Sequence, residues 1–148
     1  MKLREIVANL GIDNQLGRFA ELEIRGITCD SREISNDFMF VAIEGYKTDG
    51  RLFIGEAIER GASVIVSKDR QLPSGQRDVC FLSVPDDRKA LAVIASNFYN
   101  NPSRKLKLIG ITGTDGKTTT AYLIENILGR AGFKTGVIGT IEYRYNNI

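Results

Sequence analysis

The segment Gly110-Ile111-Thr112-Gly113-Thr114-Asp115-Gly116-Lys117-Thr118-Thr119 constrains the fold of this chain more than any other. An apolar run, Leu106 to Ile111, leads into it, and apolar residues at helical spacing follow it: Ala121, Ile124, Ile127, Leu128 and Ala131. A strand that turns on glycines straight into a helix is the local unit of an α/β fold, and it makes an anion cradle. Gly113 and Gly116 let the backbone turn tightly enough for several N–H groups to face one phosphate. The helix adds its positive end, Lys117 a mobile charge for the outer phosphates, and the Thr118 hydroxyl a ligand for magnesium. The general phosphate-loop pattern G-x-x-x-x-G-K-[ST] asks for glycine where this chain has Ile111.

Upstream, strand and helix patterns alternate. Leu3, Ile6, Val7 and Leu10 predict a first helix, with Gly11 at its left-handed end. Strands are expected at Leu22 to Cys29 (interrupted by Gly26), Phe38 to Ile43, Val64 to Val66 and Val79 to Leu82. A helix around Phe53 to Ile58 is closed by Gly61. Another opens at Pro85-Asp86-Asp87, with acids in its first turn, and buries Leu91, Ile94, Ala95 and Phe98. After the glycine loop's helix, Gly132 is the stop and Thr135 to Thr140 the next strand. The expected architecture is a small amino-terminal α/β domain, 1–101. The first strand–loop–helix–strand of a parallel-sheet nucleotide-binding domain follows at 102–148, the break falling at Asn100-Asn101-Pro102-Ser103.

Composition excludes several classes of function. With no histidine among 148 residues, a Ser-His-Asp triad and a His-ligated metal site are ruled out. Net charge is +2, and the densest basic cluster, Arg104, Lys105 and Lys107, is too short for a nucleic-acid surface. No apolar stretch approaches the length of a membrane span, and Met1 to Glu5 holds no signal-peptide core. Cys29 and Cys80 form no CxxC pair and suggest no disulfide framework. A cytoplasmic address without an obligate protein partner is the simplest expectation.

A second constellation lies in the first domain: Asp30-Ser31-Arg32, then Phe40-Val41-Ala42-Ile43, Gly45, Asp49-Gly50-Arg51 and Gly61-Ala62. The Ser31 hydroxyl suits a uracil edge or a phosphate oxygen. Arg32 suits a diphosphate, or equally an ion pair with Asp30 or Asp49. The same three residues also suit a purely structural turn. The loop from Gly45 to Gly50 leaves the carboxyl end of a strand, where α/β sheets bind ligands. Cys29 is expected to line the pocket or core beside Asp30.

Together these motifs resemble the ATP-dependent Mur ligase family, in its MurE branch. T-G-T-x-G-K-T-T is similar to that family's own phosphate loop, which also lacks the first glycine. Asp115 is a departure, asparagine being more usual there. The resemblance covers nearly the whole chain, with Phe98-Tyr99, Pro102-Ser103 and Gly139-Thr140-Ile141 in the family's order. It implies an enzyme that adds a third amino acid, diaminopimelate or lysine, to UDP-N-acetylmuramoyl-L-alanyl-D-glutamate through an acyl phosphate. ATP and Mg2+ would sit on Gly113, Thr114, Asp115, Gly116, Lys117, Thr118 and Thr119, with Lys117 catalytic and Thr118 holding the metal. The UDP end would meet Cys29, Ser31, Arg32, Tyr46, Lys47 and Thr48. Tyr46 stands where the family often has histidine, and Asp37-Phe38 where it usually has Gly-Asp. Three alternatives stay open: the MurF branch, which more often has serine at the place of Thr114; a truncated UDP-binding module; and another nucleotide triphosphatase. Only 31 residues follow Lys117, so the chain alone is expected to lack ligase activity.

Overall fold

The computed structural model describes residues 1–45, 48–68 and 78–145. It divides into two compact units, Met1–Leu106 and Lys107–Ile148. The short 3-10 turn Pro102–Lys105 therefore belongs to the first unit, just beyond the break read at Asn101.

The first unit is built on a four-stranded sheet of β1 (Gly26–Thr28), β2 (Phe38–Ala42), β3 (Ala62–Ser67) and β4 (Cys80–Ser83), in that order and all parallel. Strands covered on both faces read as continuous apolar runs, and β2 and β3 do. Because side chains alternate, each strand feeds two layers. Met39, Val41, Val64 and Val66 pack on one side with helices α1 (Leu3–Ile6) and α3 (Asp87–Phe98). Phe40, Ala42 and Ile65 pack on the other with Ile34 and with Ile54 and Ala57 of α2 (Ile54–Glu59). Phe40 and Ile65 are pleat partners at the centre of that layer, both essentially inaccessible.

Two elements are shorter than their patterns suggest, each for a tertiary reason. The first helix stops at Ile6, and Asn9 and Gly11 both take left-handed conformations. The Asn97 amide, on α3, donates to the carbonyls of Ile6 and Ala8 at 2.9 and 3.0 Å, satisfying acceptors that a longer helix would have used. The strand expected from Leu22 begins only at Gly26, because the preceding residues pair with the amino terminus: Leu3 N–H donates to Leu22 C=O and Ile24 N–H to Met1 C=O. A Cβ on Gly26 would stand 2.4 Å from the Phe38 ring, so glycine is what lets β1 lie against β2.

α3 opens as expected, with the Asp86 side chain accepting the Lys89 N–H at 3.0 Å. Ile94 is buried and Leu91, Ala95 and Phe98 are half-buried. Asn100 and Asn101, both at positive φ, terminate it.

The second unit holds α4 (Lys117–Arg130) and an antiparallel pair, β5 (Gly136–Ile138) with β6 (Tyr143–Tyr145). Tyr122 and Glu125 on α4 tie it to this hairpin. The Tyr122 hydroxyl donates to Glu142 at 3.1 Å, and the Arg144 guanidinium pairs with Glu125 while lying 4.4 Å over the Tyr122 ring. The strand expected at Leu106 to Ile111 is not formed. A strand exists by its ladder, and among the described residues none pairs with this segment, whose Leu108 is 72% exposed. The expected buried face of α4 is likewise incomplete. Ala121, Ile124 and Leu128 are half-buried, whereas Ile127 and Ala131 are exposed, since a single hairpin covers too little of the helix.

Candidate functional site

In the second unit, Gly113 and Gly116 carry the phosphate loop into α4 at φ +149° and +74°. These are conformations that side chains with a Cβ strain to adopt. Lys117, Thr118 and Thr119 are the first three residues of a fourteen-residue helix. Their N–H groups have no partner within the helix, and Gly116 provides no side chain to cap them. The cradle is open: Thr114, Asp115, Gly116, Lys117 and Thr119 are exposed and Thr118 half-buried. The Lys117 ammonium folds back over the loop, donating to Gly113 C=O and, at 2.9 Å, to Thr114 C=O. Free donors, a helix end and a lysine in the loop's mouth fit a polyphosphate. Among the described residues no group of three or more His, Cys, Asp or Glu could hold a metal. In the loop itself, the Thr118 hydroxyl is the group that would hold a magnesium ion.

In the first unit, the described residues singled out by sequence, Cys29, Ser31, Arg32 and Thr48, follow the ends of the adjacent parallel strands β1 and β2. Asp30 caps a 3-10 turn, Ser31–Glu33, accepting the Arg32 N–H at 3.0 Å and the Arg32 guanidinium at 2.8 Å. This pairing pulls the Asp30 carboxyl down to about 2, the Arg32 side chain being the main cause. Of the two partners open to Arg32 in the sequence, Asp30 has it. Asp49 instead pairs with Arg51 in a turn of the same construction, Arg51 N–H donating to Asp49 at 3.0 Å. Two Asp-x-Arg turns thus follow two adjacent parallel strands, a repetition the sequence reading did not register.

The Ser31 hydroxyl is nearly buried and donates to Glu56 of α2 at 2.9 Å, while the other Glu56 oxygen accepts from Arg60 at 2.9 Å. Glu56 was not anticipated, since nothing local links it to Ser31. Cys29 is exposed, so of the two places expected for it, pocket or core, the core is excluded: β1 ends at Thr28 and turns the next side chain to solvent. Cys80 is buried in the sheet, and desolvation raises its thiol to about 11.

The loop after β2 is closed by its own backbone. Gly45 N–H donates to Thr48 C=O at 3.2 Å and Gly50 N–H to Ile43 C=O at 2.9 Å. Thr48 is exposed. Tyr46 and Lys47 lie outside the described residues. A Cβ on Gly45 would come 2.5 Å from Thr48 O, and one on Gly50 2.7 Å from Ile43 O, so both glycines are sterically required. Glu44, at the loop's start, is held from α3: its N–H donates to Asp87 Oδ2 and its C=O accepts from Arg88, each at 3.0 Å. In the sequence Asp87 stood out only as an acid of the first turn of α3, and Arg88 not at all.

Comparison with known proteins finds a family match in each of the two units. Residues 23–99 match the model described as Mur ligase family, catalytic domain, and residues 111–148 match the Mur ligase middle domain. The chain is 51% identical over 142 residues to a UDP-N-acetylmuramoyl-L-alanyl-D-glutamate--2,6-diaminopimelate ligase of Clostridium tetani, covering 95% of this chain and 29% of that protein. It is 47% identical over 148 residues to the ligase of the same name from Syntrophomonas wolfei, covering 100% and 30%. It therefore spans about three-tenths of the length of the curated relatives it matches. Among solved structures, one of a UDP-N-acetylmuramoyl-L-alanyl-D-glutamate--2,6-diaminopimelate ligase superposes with a TM-score of 0.71 at 25% identity, over 98% of this chain and 28% of that one. The MurF ligase of Thermotoga maritima in complex with ADP gives 0.53 at 30% identity, over 72% and 23%. Matched across both of its units, this chain belongs to the Mur ligase family.

Proposed function

We propose that this chain is the substrate-recognising and phosphate-loop portion of an ATP-dependent ligase joining 2,6-diaminopimelate to UDP-N-acetylmuramoyl-L-alanyl-D-glutamate. The observation that carries the reading is the open glycine cradle of Gly113 and Gly116 at the start of α4, with Lys117 in its mouth. The names of the similar ligases supply the substrates. When bound, ATP with magnesium supplies the phosphoryl group that activates the substrate carboxylate for attack by the incoming amine. Lys117 exchanges its two loop carbonyls for phosphate oxygens and offsets their charge, and the N–H groups of the first turn of α4 hold the same oxygens. Thr118 is the metal ligand this chain contributes. In the first unit, the turn at Ser31 and Arg32 and the loop carrying Tyr46, Lys47 and Thr48 receive the UDP end, beside exposed Cys29.

The MurF reading is weaker on identity: the MurF structures stand at 28 to 30%, against 45 to 51% for several curated relatives named as diaminopimelate ligases. Lys117→Ala tests the proposal. In the complete enzyme it should abolish ligation, and in this chain it should weaken ATP binding about tenfold or more while leaving UDP binding unchanged. Ligation that survives the substitution refutes the assignment. Offering diaminopimelate or a D-alanyl dipeptide, each with the matching UDP substrate, separates the two branches.

A further inference from the structure

Among the described residues, Asp87 is the only charged side chain that is buried, at 7% exposure. A buried carboxylate is costly unless it is hydrogen-bonded or meets positive charge. Asp87 has both compensations: it is the first residue of α3, where the helix dipole favours an anion, and its Oδ2 accepts the Glu44 N–H at 3.0 Å. It is not needed as a cap, because Asp86 already accepts the Lys89 N–H. Arg88, the next residue, donates to the Glu44 carbonyl. Consecutive side chains of α3 thus take both backbone polar groups of one residue 43 positions away. That residue opens the loop closed by the bonds Gly45 to Thr48 and Gly50 to Ile43, off the same sheet end as the Ser31 turn.

We infer that Asp87 is a positioning residue for ligand recognition: through the Glu44 N–H it fixes where the chain leaves β2, at Glu44 and Gly45, for reception of a uridine diphosphate, without touching the ligand itself. The inference rests on the reading of the first unit as the UDP site. A loop fixed before binding spares the ligand the cost of ordering it, so the clamp acts on affinity.

The test is calorimetric titration of UDP into the 148-residue chain, with amide exchange followed at Glu44 and Gly50. Asp87→Ala should weaken UDP binding about tenfold, the usual consequence of losing a hydrogen bond to a charged group, and should quicken both amides. Asp87→Asn keeps an accepting oxygen in the same place and should recover most of the affinity, a rescue that a general loss of stability would not produce. Arg88→Met approaches from the other half of the clamp, at a more exposed position, and should weaken UDP several-fold. UDP affinity in Asp87→Ala within about twofold of the unsubstituted chain overturns the proposal, as do equal losses in the Ala and Asn variants. If Asp87→Ala does not fold, unchanged affinity in Arg88→Met overturns it. Absence of UDP binding in the unsubstituted chain overturns the reading of the first unit, and this inference with it.

Discussion

Asp30 and Arg32 lie two residues apart, close enough for the backbone of one to be capped by the other while their charges pair. The folded-state carboxyl is depressed from its ordinary 3.8 to about 2. A depressed acid stabilises the fold above its unfolded value, and that contribution is lost as pH falls through the folded value. The turn should therefore hold at pH 5 and loosen between about 4 and about 2. Both charges are substantially exposed, so salt screens the pair and its share of global stability is small. Carbon-detected titration should place the Asp30 midpoint near 2 and return it toward 3.8 in Arg32→Gln. A midpoint unmoved by that substitution would mean the turn's backbone, not the guanidinium, sets the acid. Asp49 is shifted the same way, by Arg51.

For an element, the most telling case is the loop after β2. Its glycines are fixed by close backbone approach, since a Cβ on Gly50 would meet Ile43 O at 2.7 Å and Ile43 N at 2.8 Å. Backbone atoms cannot step aside as the tip of a side chain does. Gly50→Ala should therefore cost about 1–3 kcal/mol, in the range of overpacking, and should also weaken UDP binding. A denaturant midpoint equal to that of the unsubstituted chain would show that the loop opens freely around the methyl group. β2 and β3 were legible from apolar composition alone, because a doubly covered strand needs no polar face. α1 was not, because its apolar spacing continues to Leu10 while the carbonyls of Ile6 and Ala8 are taken by Asn97 of α3, which packs beside it on the same face of the sheet.

At the scale of the molecule, the two units differ in how much they bury. β2 and β3 lie between two apolar layers, whereas α4 has no buried residue and Leu108, Ile127, Ile138 and Tyr143 are more than half exposed. Regions with few buried apolar contacts open at low free energy. Native-state hydrogen exchange should accordingly find α4 and the β5–β6 hairpin less protected than β2 and β3. Protection in α4 equal to that in β3 would contradict this.

The sequence by itself determined the features that follow from neighbours along the chain. These are the glycine turn into α4, the Asp86 cap, the stops at Gly61 and Gly132, and the apolar strands of the sheet. Each rests on a backbone conformation or a periodicity confined to a few residues. It also placed the loop from Gly45 to Gly50 after the carboxyl end of a strand, the end at which α/β sheets in general bind ligands. Only the tertiary structure decided the long-range partners: Glu56 for Ser31 and the Glu44 N–H for Asp87. Several acids along the chain could chemically have met Ser31, and many backbone N–H groups Asp87. The choice among them is made by distance after folding, and spacing along the sequence does not encode it.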